Sequence, residues 1–194
     1  MEHLEVLLKL PLNKQTAFAW LTCERLFRNY LYFYNITGFG DPSMIRAGIE
    51  YLSAHVLNDQ IKISEIKDLL VQLEKNTPEP GNFDSWSASA ALDTCSVLFE
   101  SLNFLVDHLQ KRLTTISTLA IDSVDMYIQE IENLDFSIDK DFQWKIDNHP
   151  LMKQEKAIQS GLIKYLNTIK DLQIDDLNTL ISLQNSDKHS NLLL

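Results

Sequence analysis

Between Thr16 and Ser43 the chain reads TAFAWLTCERLFRNYLYFYNITGFGDPS, with apolar residues on two faces of a helix instead of one. At 3.6 residues per turn, Ala19, Trp20, Cys23, Leu26, Phe27, Tyr30, Leu31, Phe33 and Tyr34 fill one broad arc. Phe18, Leu21 and Tyr32 cover much of the opposite side, so this helix is predicted to be central. Glu24, Arg25 and Arg28 fall at or between those faces, where a charge needs a partner or a route to water. Glu24 and Arg28 stand in the favourable order for a pair four residues apart. Gly38 suits the left-handed residue that ends a helix, Gly40 a tight turn, and Asp41-Pro42 the cap and first position of the next helix.

The remaining pattern is also helical. Residues 4–10 predict a short apolar helix stopped near Pro11, with Asn13 as the candidate cap of the long helix. Met44, Ile45, Ile49, Leu52 and Val56 predict a second amphipathic helix, and residues 63–75 a third with Ser64 as its cap. Pro78, Pro80 and Gly81 make residues 76–84 a loop, after which Asp84 or Ser85 caps a long helix with its apolar face running from Ala88 to Leu109. Opposite lies a polar stripe of Ser89, Asp93, Ser96, Glu100, Asn103 and Asp107. Thr114 or Thr115 starts the next helix, with Ile116, Ala120, Ile121, Val124, Tyr127, Ile128 and Ile131 as its core face. Phe142, Trp144 and Ile146 predict a short segment packed on the body, and Asn148-His149-Pro150 restarts the helix. There Leu151, Glu155, Ile158, Leu162, Tyr165, Ile169 and Leu172 form a seam in which one position is a carboxylate. A last short helix is capped near Asp175. No useful period-2 run occurs, so the fold is predicted to be all-α: a compact bundle of seven to nine helices, one domain over residues 1–184 and a fraying tail over 185–194.

Composition narrows the setting. Seventeen basic against 27 acidic residues give a net charge of −10, which disfavours nucleic acid and anionic membranes as partners. Cys23 and Cys95 lie within helical patterns and form no Cys-x-x-Cys, as expected of free buried thiols in a reducing compartment. Acidic Met1-Glu-His-Leu-Glu-Val does not resemble a signal peptide, and the longest uncharged stretch, residues 29–40, is too short to span a bilayer. A cytoplasmic location follows as the expectation. The glycosylation pattern Asn35-Ile36-Thr37 has no use there.

The sequence carries no His-Glu-x-x-His, Glu-x-x-His, Gly-x-Ser-x-Gly, phosphate loop or dinucleotide fingerprint. His3, His55, His108, His149 and His189 are scattered singly, and the two Ser-x-x-Lys runs lack their companion motifs. No cofactor is expected. Asp93 and Glu100 have either an acid–base reading or that of a solvated stripe. Glu155 either forms a buried pair with Arg25 or Arg28 or serves locally near its helix start. A metal would have to draw on Glu24, Asp93, Asp122 and Glu155 from different helices.

Thr16–Asp41, with Cys23-Glu24-Arg25, Asn29-Tyr30 and Thr37-Gly-Phe-Gly-Asp41, resembles the N-terminal half of the YjaG-like bacterial family of unknown function, domain-of-unknown-function family 416. Ala91-Leu-Asp-Thr-Cys95 with Glu100, Asp141–Trp144, and Asn148-His-Pro-Leu with Gln154-Glu155 resemble its later motifs in order. The resemblance implies a cytoplasmic all-helical protein with no assigned reaction, and it transfers no catalytic residue. The expected function is a non-enzymatic module that binds a protein partner or itself. The alternative is a small-molecule binder or enzyme with an interhelical site of Glu24, Arg25, Asp93 and Glu155, drawn from a wider candidate polar network of Glu24, Arg25, Arg28, Asp93 and Glu155.

Overall fold

The computed structural model describes residues 2–58, 60–83, 85–185 and 190–193. Its α-helices are α1 (Glu2–Leu7), α2 (Leu12–Thr37), α3 (Pro42–Ala54), α4 (Ile63–Asn76), α5 (Trp86–Asp107), α6 (Gln110–Ile131), α7 (Phe142–Asn148), α8 (Pro150–Thr168) and α9 (Ile174–Asn185). No strand occurs among the described residues.

The 26-residue α2 is the hub its two apolar faces predict, packing against α3, α5, α6, α8 and α9. Phe18, Leu21, Leu26, Tyr30 and Phe33 are all buried although they point to different sides of the helix. Gly38 ends it at φ 69°, donating its N–H to the Tyr34 carbonyl. Asp41 then caps α3, its side chain accepting from the Ser43 N–H at 2.8 Å. Gly40, at φ 87°, passes so close to Tyr30 that an added Cβ would lie 2.0 Å from the phenol oxygen. That oxygen donates to the Asn76 carbonyl at 2.8 Å, which ties the α2–α3 corner to the end of α4. Phe33, Phe39 and Phe83 meet edge to face and hold the 77–85 connection, where Pro80–Asn82 makes one 3-10 turn.

Helix α5 is the second spine, packed on α2, α3, α4 and α6. By length and composition it is apolar enough to cross a membrane, with mean hydropathy 1.2 over its most apolar window, but 56% of that window is buried in the fold. Thr94 and Ser101 face α2, where Thr94 donates to the Leu26 carbonyl and Ser101 receives the Cys23 thiol at 3.3 Å. Burial pushes both thiols, Cys23 and Cys95, up to about 12.

Several boundaries differ from the sequence expectation. Pro11, not Asn13, precedes α2, and Lys62, not Ser64, precedes α4. Ser85 caps α5 through the Ser87 N–H, while Asp84 lies outside the described residues. Helix α6 starts at Gln110, well before Thr114, because His108 at φ 53° turns the chain sharply without a glycine. His149 does begin α8, its ring nitrogen accepting from the Leu151 N–H. Trp144, expected to pack, is 67% exposed, and Ile146 carries the packing of α7 instead. Along α8 the buried positions are Leu151, Met152, Glu155, Gln159, Ile163 and Leu166, a stripe shifted partly off the predicted seam. Beyond α9, residues 186–189 and 194 of the expected tail lie outside the described residues, while Ser190, Asn191 and Leu192 are buried.

Candidate functional site

The predicted polar residues divide among three places. On the flank of α2, Arg46 of α3 reaches both oxygens of Glu24 at 2.8 and 2.7 Å, and Trp20 Nε1 donates to the same carboxylate. The Arg46 guanidinium also lies 4.1 Å from the centre of the Phe27 ring, a cation–π contact. Glu24 is thus held by Arg46 of α3, while Arg28 is half-buried on α2.

Deep between α2, α6 and α8, Arg25 Nη2 donates to Glu155 Oε1 at 2.8 Å, with 4% and 0% of their side chains exposed. Gln159, one turn after Glu155, donates to the same oxygen at 2.7 Å and to the Ser117 carbonyl at 3.1 Å, and accepts from the Ser117 hydroxyl at 2.6 Å. Among the described residues Arg25 Nε and Glu155 Oε2 have no partner. One turn along α2 from Arg25, Asn29 donates to Asn191, which in turn donates to the Ala120 carbonyl. This seam joins elements far apart in sequence. Among the described residues it sets no nucleophile beside a base, and its geometry is that of an internal clasp.

The third place is open. Between the start of α5 and the end of α6, a cavity of about 440 Å³ is walled by Phe83, Trp86, Asp93, Ser123, Tyr127, Glu130 and their neighbours. Trp86 is fixed by stacking on Tyr32 at 5.5 Å and by the Tyr127 ring at 4.7 Å. Ser123 is 2% exposed, yet its hydroxyl has no hydrogen-bond partner among the described residues, and neither does Asp93 Oδ2. Burial, with a smaller push from the Asp122 charge, raises the Asp93 carboxyl to about 7. Burial and then Asp125 raise Asp122 in turn. Among the described residues no three His, Cys, Asp or Glu side chains gather as a metal site would require.

The constellation of Glu24, Arg25, Asp93 and Glu155 is therefore not one site: Arg25 meets Glu155, and the other two stand apart. The helical wheel sets Trp86 beside Asp93, as the structure shows, but sequence reasoning missed Ser123 and Tyr127 as their companions. The signal was a serine inside the apolar stripe Ile116, Ala120, Val124, Ile128, one residue before Val124 on the same helix.

These features define an all-α protein with a closed polar seam between α2, α6 and α8 and an open cavity between α5 and α6. The chain belongs to the family described as Protein of unknown function (DUF416), whose model matches residues 2–194. It is 26% identical over 145 residues to the uncharacterized protein YjaG of Escherichia coli K12, covering 69% of this chain and 74% of that one. It also matches the crystal structure of a DUF416 family protein from Shewanella baltica OS155 with a TM-score of 0.89 and 25% identity, over 98% of this chain and 97% of that one.

Proposed function

We propose that this chain is a binding protein whose ligand is a small polar molecule held between α5 and α6. The observation that supports this reading is a pair of unpartnered buried polar atoms, Asp93 Oδ2 and Ser123 Oγ, on the wall of one cavity. A buried polar atom left unsatisfied costs about 1–3 kcal/mol, a cost that a ligand at this place removes. Binding is favoured over catalysis because a nucleophilic serine needs a base within hydrogen-bond reach, and among the described residues neither Asp93 nor any other side chain provides one. A cytoplasmic setting accords with two free buried thiols. The test is a small-molecule fragment screen read by the Trp86 indole resonance, assigned with Trp86→Phe. Saturable shifts that vanish in Ser123→Leu, which fills the cavity, are expected; a fragment set that leaves Trp86 unmoved overturns the reading.

A second reading, self-association, is favoured by Phe136, Ile138 and Trp144, which are 83%, 76% and 67% exposed within nine residues of chain. Apolar groups so exposed and so close together mark contact surfaces. Sedimentation equilibrium is expected to show a dimer that Trp144→Ser with Phe136→Ser dissociates; a monomer at high concentration removes this reading.

A further inference from the structure

The walls of the cavity are one-sided in charge. Asp93 and Glu130 line it, and among the described residues no Lys, Arg or His does. Its far end is the last turn of α6, Gln129 to Ile131, continuing to Asn133, the negative end of that helix's dipole, with the Gln129 and Glu130 carbonyls accepting from the Leu134 and Asn133 N–H groups. That turn has no basic side chain to offset it. The opposing helix start is already engaged, since Ser85 Oγ accepts from the Ser87 N–H at 3.2 Å. An anion entering here would face Asp93, with Asp122 and Asp125 behind it on α6, and would gain no cationic partner.

The apolar walls point the same way. Trp86 and Tyr127 both line the cavity, with Trp86 stacked on Tyr32, and aromatic rings attract cations within about 6 Å of their centres. The Ser123 hydroxyl retains lone pairs that nothing uses, and the Asp93 carboxylate accepts when ionised, so the wall offers acceptors to a donor-rich group. Resting on the cavity reading above, we propose that the ligand is a small organic cation, a primary ammonium on a compact apolar body. Its N–H groups donate to Asp93 and Ser123 while Trp86 and Tyr127 cover the body.

Three probes with one shape and different charge test this: phenethylamine, phenethyl alcohol and 3-phenylpropionate, each titrated into the full-length protein while the Trp86 indole resonance is followed. The amine is expected to bind about tenfold or more tightly than the alcohol, and the carboxylate not at all. Asp93→Asn is expected to remove that advantage. Between pH 6 and 8 the amine keeps its charge while Asp93 sheds its proton, so its affinity rises with pH. Equal or tighter binding of the alcohol, or an unchanged amine affinity in Asp93→Asn, overturns the cation assignment and leaves the cavity reading intact. Silence of Trp86 toward all three overturns both.

Discussion

Glu155 and Asp93 are both acidic side chains on a helix turned toward other helices, and the fold treats them in opposite ways. Glu155 is sealed, its Oε1 shared by Arg25 and Gln159. Glu155 Oε2 and Asp93 Oδ2 both have no partner among the described residues, but no cation meets Asp93 there, and Asp93 lines an open cavity. A chain that needed only stability would fill the second place with a leucine, since burial of an unpaired carboxyl is unfavourable. The difference separates a polar group kept for architecture from one kept for contact with something else.

The largest effect that sharpens this comparison comes from opening the closed seam. Arg25→Met leaves Glu155 buried without its cation and is expected to lower stability by about 3–5 kcal/mol, read from urea unfolding midpoints. Adding Glu155→Leu removes the stranded charge and should return most of the loss, because an apolar replacement of a whole buried pair is often neutral or better. A double variant no more stable than Arg25→Met alone would mean that Glu155 is not the group left stranded, and the architectural assignment of the seam would fail.

The open region predicts the reverse behaviour. The Asp93 carboxyl is raised from 3.8 to about 7 in the folded chain, so between those values the folded state holds a proton that the unfolded state has released. Stability from this group is therefore complete below about pH 4, declines as pH rises through the window, and is flat above about pH 7. Asp93→Asn carries no such charge. Its stability relative to the parent should grow from pH 4.5 to 8 by on the order of 2–4 kcal/mol, measured by denaturant unfolding at each pH. If the difference between the two chains does not change with pH, Asp93 is solvated, and its contrast with Glu155 disappears.

Much of the frame was legible in the sequence because its signals are local. The two-faced pattern of α2, the left-handed Gly38, the Asp41 cap and the Ser85 cap all depend on neighbours a few residues away. What stayed hidden depends on distance along the chain. Asn29 meets Asn191 across 162 positions, and nothing in either neighbourhood marks the other. Charge spacing along α2 pointed Glu24 to Arg28, but Arg46 of α3 takes it because the α2–α3 corner folds the two helices side by side. The start of α6 was missed because His108 adopts a conformation normally left to glycine. Of the open site Asp93 and its neighbour Trp86 stood out but Ser123 did not, since a serine in an apolar stripe has the same appearance whether or not it is bonded.

That last ambiguity is resolved by the smallest effect, a pair of serines on one helix. Ser117 and Ser123 are both buried on α6, with 9% and 2% exposure, and are six residues apart. Ser117 donates to Gln159 at 2.6 Å and so helps hold the amide that steadies Glu155. Ser117→Ala leaves the Gln159 oxygen without that donor and is expected to cost about 1 kcal/mol. Ser123→Ala deletes a hydroxyl that satisfies nothing, so the expected change lies within about 0.5 kcal/mol of zero, on the stabilising side. Thermal unfolding of the two single variants in the same buffer makes the comparison. Equal losses would show that Ser123 has a structural partner of its own, and the cavity would lose one of the two atoms that mark it as a binding site.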